Sequence, residues 1–213
     1  SVTSGSTYDS MTDVPTLTSA TVANYCVGNP LNALGGGGFS DGNLTLSIAN
    51  GSTYSRLFGT MGMTTGKFYW EFTQNVNAAT LMGIAGSFHP ATAAGTLGYY
   101  SDEYSYYGTG QKYNNGSLSS YGASYTTGDV IGVAFDATAG TLTFYKNGSS
   151  QGTAFSSIPA GTYFPAAGSA SGTSTGYWNF GQQPFTYTPP SGYVALNTYN
   201  LPASTISNGA TVM

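Results

Sequence analysis

The chain has 213 residues, of which 6% are charged and 15% aromatic, and its formal net charge is −4. Ordinary soluble domains devote roughly a quarter of their residues to Asp, Glu, Lys and Arg; here Gly, Tyr, Ser, Thr and Asn stand in their place, with too much aromatic content for a disordered chain. Arg56, Lys67, Lys112 and Lys146 are all the cations there are, too few for a nucleic-acid patch or a basic membrane-surface helix. No apolar run nears the ~18 residues that cross a bilayer.

Residues 1–38 are rich in Ser, Thr, Asn and Gly and end in the run Gly35–Gly38, which reads as an extended arm with a flexible joint. SVTSGSTYDS has neither the charged nor the apolar region of a secretory leader. From residue 39 to 188 helical periodicity is almost absent, and short alternating runs bounded by turn residues predict an all-β sandwich or barrel. Lys67–Phe72 sends Phe68, Trp70 and Phe72 to one face and Tyr69 and Glu71 to the other. Thr80–Ala85 is a shorter strand. Val130–Asp136 directs Ile131, Val133 and Phe135 inward, and small Gly132 and Ala134 opposite imply a second layer close by. Thr141–Lys146 puts Leu142 and Phe144 inward and runs into Asn147-Gly148, the pair preferred in a two-residue type I′ turn. A hairpin from Thr141 to about Phe155 follows, with later strands at 163–168 and 177–180. Residues 189–213 read as a second extended arm. Val14, Leu17, Val22, Tyr25, Leu31, Leu196 and Leu201 give the two arms apolar contacts to make, with the core or with a neighbouring chain.

The central motifs resemble the SPRY family. Gly66-Lys-Phe-Tyr-Trp-Glu-Phe72 is similar to its G-x-x-Y-W-E-V strand, and Gly128–Asp136 to its G-D-V-[IV]-G-[VC] strand. Gly140–Gly148 resembles its G-x-[IL]-x-F-x-x-N-G hairpin, Tyr163–Ala167 its [LY]-[YF]-P-[AC] strand, and Asn179-Phe-Gly181 its closing N-F-G. The resemblance implies a bent all-β sandwich of two antiparallel sheets whose loops bind ligands. The flanks, Asp13–Thr16 with Asn24–Leu31 and Ser191–Pro202, resemble segments that frame SPRY-like modules in tailed-bacteriophage structural proteins. That likeness implies a virion-surface or extracellular location, as tail, fibre or capsid decoration. It also implies partners among other virion proteins and copies of itself in a homo-oligomer, and a host surface glycan or protein as ligand.

The chemistry-bearing residues are sparse. Glu71, Asp129 and Asp136 sit within the strand motifs, where turns and buried hydrogen bonds account for carboxylates. Asp102-Glu103 is the only adjacent acidic pair, and it lacks the D-x-D-x-D spacing of a calcium loop. With one His (His89) and one Cys (Cys26), a zinc site or Cys–His dyad has no second member. Cys26 reads as a small packed residue. No catalytic residue, metal site or cofactor is expected, and the chain reads as a non-enzyme. The remaining candidate is Gly98–Gly108, with five tyrosines in eleven residues. Tyr, Ser and Gly compose adaptable binding loops, which makes Tyr99, Tyr100, Asp102, Tyr104, Tyr106 and Tyr107 the expected ligand-binding set, on surface loops. Tyrosines that simply fill a sheet are an equal reading of the same segment. A purely architectural protein, and the binding domain of a larger polysaccharide-active enzyme, are the competing functions.

Overall fold

The computed structural model describes residues 19–48, 54–76, 79–89 and 95–202. After a single 3-10 turn at Pro30–Asn32, the described residues form strands throughout. In chain order these are β1 (Gly38–Ser40), β2 (Thr45–Ile48), β3 (Arg56–Phe58), β4 (Lys67–Val76), β5 (Thr80–Ala85), β6 (Glu103–Tyr107) and β7 (Gln111–Asn114). Then come β8 (Ser117–Ser120), β9 (Val130–Asp136), β10 (Thr141–Lys146), β11 (Ser149–Phe155), β12 (Phe164–Ser169), β13 (Ser174–Asn179) and β14 (Val194–Ala195). The first sheet has the order β1-β2-β13-β4-β9-β10-β11, and the second β3-β12-β5-β6-β7-β8; both are antiparallel, apart from β14, which joins β4 in parallel beside Phe68 and Tyr69.

The alternation read in the sequence sets the core. Phe68, Trp70 and Phe72 of β4 meet Ile131, Val133 and Phe135 of β9 and Leu142 and Phe144 of β10 from one side. Met82 and Ile84 of β5 and Tyr104 and Tyr106 of β6 close on them from the other. The hairpin turn is as expected, with Asn147 at φ 48 and Gly148 at φ 78 and Lys146 paired with Ser149. Gly132 leaves room within its own sheet: a Cβ there would lie 2.4 Å from the hydroxyl oxygen of Tyr69 on the paired strand β4.

β4 is buried on both faces, Tyr69 and Glu71 each being 1% exposed. The cover is the chain after β13. The Glu71 carboxylate accepts the Thr186 and Tyr187 amides at 2.8 Å each and the Tyr69 hydroxyl at 3.2 Å, while Phe185 packs edge-on against Tyr69.

The flanking segments, so far as they are described, lie on this sandwich. Cys26 and Leu196 are fully buried in the main core, and Tyr25 and Leu201 pack against it; Val22 and Leu31 remain exposed, while Val14 and Leu17 fall outside the described residues. The glycine run is not the free joint expected from its composition. Leu34 exchanges two backbone hydrogen bonds with Arg56, Gly38 begins β1, and a Cβ on Gly35 would lie 2.4 Å from the Tyr54 carbonyl oxygen. Close backbone approach, as well as flexibility, selects glycine. Burial raises the Cys26 thiol to about 11, which makes it a packing residue rather than a nucleophile.

Candidate functional site

Within the tyrosine-rich segment Glu103–Tyr107 is strand, whereas residues 98–102 are the loop that was expected, and that divides the expected ligand set in two. Within β6 successive side chains alternate, so Tyr104 (8% exposed) and Tyr106 (fully buried) point into the core and cannot meet a ligand. Tyr106 packs on Phe144, Tyr121 and Tyr125, and Tyr104 on Phe155; burial raises the Tyr106 phenol to about 12. Tyr107 lies on the outward face of the second sheet, against a small separate cluster of Phe58, Leu81, Ala85, Leu97 and Ala166. Tyr99 is exposed, and Tyr100 and Asp102 are half-buried.

A buried ion pair explains how the chain from Gly95 to Asp102 is laid over that face. The Arg56 Nε lies 2.9 Å from Glu103 Oε1, and both side chains are fully buried. Arg56 Nη2 donates to the Gly95 carbonyl at 2.7 Å, and Glu103 Oε2 accepts the amides of Gly98 at 2.9 Å and Tyr100 at 3.3 Å. Burial drives the Glu103 carboxyl above the ordinary glutamate range, although Arg56 and the two amides pull the other way. The Tyr100 ring lies over the Arg56 guanidinium and stacks on His89 at 3.7 Å. His89 Nε2 is 2.8 Å from Asp102 Oδ1. Burial by itself would raise the Asp102 carboxyl, but hydrogen bonds from His89 and Ser87 outweigh it and hold the group below its usual value. Asp102 is therefore a fastener of this segment.

Beside the fastened segment the same face opens into a recess of about 220 Å³, walled by Tyr54, Tyr107, Tyr113, Leu81, Leu118 and Thr96. Tyr54 and Leu118 are 40% and 48% exposed. The Thr96 hydroxyl is buried and has no hydrogen-bond partner among the described residues. Burial raises the phenols of Tyr107 and Tyr113, so both are neutral donors near pH 7. The walls carry no charged side chain. The recess thus offers aromatic faces and the Tyr107 and Tyr113 phenols to a neutral group with one apolar side, and it is small enough to hold one sugar ring or one large side chain.

Of the expected set, only Tyr107 lines this recess. Tyr54, Thr96, Tyr113 and Leu118 were missed. For Tyr113 and Leu118 the signal existed: Asn115-Gly116, at φ 50 and 70, is a second two-residue turn of the same kind as Asn147-Gly148, and it sets Tyr113 directly across from Leu118. Nothing local marked Tyr54, Thr96 or the Arg56–Glu103 pair, whose members meet only through the fold. Among the described residues no group of three His, Cys, Asp or Glu could hold a metal ion.

Two antiparallel sheets in this order, with β4, β9, β10, β12 and β13 carrying the five motifs, define a SPRY-type sandwich. The SPRY domain model matches residues 67–183. The chain belongs to the SPRY domain family. It is 33% identical over 135 residues to the E3 ubiquitin-protein ligase RKP of Arabidopsis thaliana, a match that takes in 62% of this chain and 10% of that protein. The chain therefore spans about a tenth of the length of that curated relative. The SPRY domain of human HERC1 superposes with a TM-score of 0.64 at 23% identity, over 74% of this chain and 99% of the other. Stonustoxin superposes with a TM-score of 0.60 at 19% identity, over 73% of this chain and 27% of the other. The flanking segments Asp13–Thr16, Asn24–Leu31 and Ser191–Pro202 lie outside the residues matched by the family model.

Proposed function

We propose that this chain is a noncatalytic recognition module displayed on a virion or other extracellular surface, and that the recess between Tyr107, Tyr113 and Leu118 receives a neutral group of a host surface glycan or protein. The carrying observation is the recess itself: an uncharged hollow walled by Tyr54, Tyr107, Tyr113 and Leu118, of which Tyr54 and Leu118 are exposed. Tyrosine gives large contact area at low entropic cost, and apolar walls with a few convergent polar groups are what small binding sites have in common. The carboxylates that an enzyme would need are engaged structurally. Glu71 holds Thr186 and Tyr187, Asp129 accepts the Thr126 amide and the Asn147 side chain, and Asp136 accepts the Ala139 amide and pairs with Lys67. Display on a virion rests on the flanking segments and on a surface almost without charge.

The test is binding of the whole chain to an array of bacterial surface glycans and envelope proteins. Tyr113→Ala and Leu118→Ser should each weaken the recognised feature at least tenfold, with Leu118→Ser leaving the melting temperature near wild type because the side chain is half exposed. Unchanged binding by both variants, or no feature recognised at all, overturns the reading and favours a purely architectural role.

A further inference from the structure

The ends of the two sheets are not treated alike. The free side of β3 is taken by Leu34, through its two hydrogen bonds with Arg56. β11 is broken by register shifts against β10 and carries Gly152 at φ 83, a bulged edge of the kind that resists pairing. β1 has three residues and runs into a left-handed turn at Asp41, Gly42 and Asn43. β8 is also short, four residues after the Asn115-Gly116 turn, but among the described residues it has neither a covering segment nor a bulge. It keeps register with β7 through all four pairs, every residue is exposed, and Ser117-Leu-Ser-Ser120 contains neither charge nor proline.

We infer that β8 is a pairing edge for a second copy of this chain, joining the second sheets of two molecules into one continuous sheet. The register follows from the hairpin. A two-residue turn at Asn115-Gly116 makes Asn114 and Ser117 the closing hydrogen-bonded pair. Alternation then gives Lys112 and Ser119 the next bonded pair, and the N–H and C=O groups of Leu118 and Ser120 face away from β7. A two-fold axis through Ser119 sets Leu118 of each copy opposite Ser120 of the other, and all four outward residues exchange bonds. The residues at and next to the axis are serines, so nothing clashes, and no like charges meet. The two Leu118 side chains, each 48% exposed, fall on the same face as diagonal neighbours and shield one another. An edge guarded by lysine would forbid this arrangement; this edge permits it at every position. Since Leu118 also walls the recess, pairing would set two recesses side by side on one face and give two-point attachment to a repetitive surface. The pairing stands independently of what the recess binds.

Ser119 is the one residue that faces its own counterpart, in a non-hydrogen-bonded pair with Cα atoms about 4.5 Å apart, within the roughly 4.4–6.8 Å span of a disulfide. The chain has a single cysteine, Cys26, which is fully buried, so the background is silent. Under mild oxidation, full-length Ser119→Cys should form a covalent dimer at least tenfold faster than Ser150→Cys on the bulged β11 edge. Adding Ser120→Pro, which removes an outward N–H without touching a β7 bond, should return the rate to that of Ser150→Cys. Leu118→Lys should do the same while keeping every backbone donor, so loss of pairing is separable from misfolding in the proline variant. A Ser119→Cys rate within twofold of Ser150→Cys overturns the inference. So does rapid cross-linking that neither Ser120→Pro nor Leu118→Lys slows.

Discussion

Each sheet covers its outward face with a returning segment held down by a buried glutamate, but the two do it differently. On the first sheet Glu71 accepts the amides of Thr186 and Tyr187, and its third partner is the neutral Tyr69 hydroxyl. On the second sheet Glu103 accepts the amides of Gly98 and Tyr100, and its third partner is the Arg56 guanidinium in a fully buried ion pair. The first cover runs on past Phe185 to β14 and leaves β4 no open face. The second stops short, and Tyr107, Tyr113 and Leu118 are left around the recess. The sheet closed on both faces carries four of the family's five motifs, the fifth lying on β12 of the other sheet, whose outward face is left partly open for the proposed ligand.

The comparison breaks most readily at the ion pair. Arg56→Met leaves the Glu103 carboxylate buried without its cation, and such losses cost about 3–5 kcal/mol. Denaturant unfolding should show this loss at pH 7. The double variant Arg56→Met/Glu103→Gln should recover part of it, because an amide keeps an acceptor for Gly98 or Tyr100 and removes the unpaired charge. The sign with pH is fixed. Burial already lifts the Glu103 carboxyl above its ordinary value, and without Arg56 it rises further. A carboxyl whose folded pKa is raised stabilises the fold in its protonated form and loses that contribution as pH climbs through the folded value. The Arg56→Met penalty should therefore shrink between pH 7 and pH 5. A penalty that is flat over this range would mean that Glu103 is not left charged and dry.

Glu71→Gln is the matching change on the first sheet, where no opposite charge is stranded. One charge-assisted acceptor is lost, worth about 1.5–3 kcal/mol, and the penalty falls on the cover between Gln182 and Tyr187. Amide hydrogen exchange at Thr186 and Tyr187 should speed up before exchange in β9 does. Equal acceleration in both would show that cover and sheet open together.

The closed sheet was legible in the sequence because its signals are local. Alternation in Lys67–Phe72, Val130–Asp136 and Thr141–Lys146 gave faces, and Asn147-Gly148 gave a turn. The candidate site was mostly illegible. Counting tyrosines between Gly98 and Gly108 ran a loop and a strand together: Tyr99 and Tyr100 do lie in the loop, but Glu103–Tyr107 is strand, and period two removed Tyr104 and Tyr106 to the core. Applying the same alternation to Glu103–Tyr107 would have separated Tyr107 from them. Tyr54, Thr96 and Arg56 come from elsewhere in the chain, and no window of sequence holds the recess. Glycine was misjudged for a related reason: composition reports its freedom, whereas only the fold reports that Gly35 touches the Tyr54 backbone.

The two Asn-Gly turns give the finest version of the comparison, since one lies under the closed sheet's cover and the other at the open edge. Gly148 sits at φ 78 and Gly116 at φ 70, so an alanine at either takes a left-handed backbone that costs about 1–2 kcal/mol. Their surroundings differ. A Cβ on Gly148 would lie 2.6 Å from the Tyr187 ring, whereas on Gly116 the nearest atom is the Tyr99 carbonyl oxygen at 3.9 Å. Gly116→Ala should therefore show the backbone cost alone. Gly148→Ala should show the same cost plus a displacement of Tyr187, whose amide is held by Glu71. In the Glu71→Gln background that hold is weaker and the ring can move aside, so the excess of Gly148→Ala over Gly116→Ala should diminish. Unfolding free energies of the four variants, measured together, decide it. An excess that persists unchanged would place the restraint on Tyr187 in its own ring packing rather than in the carboxylate that fastens the cover.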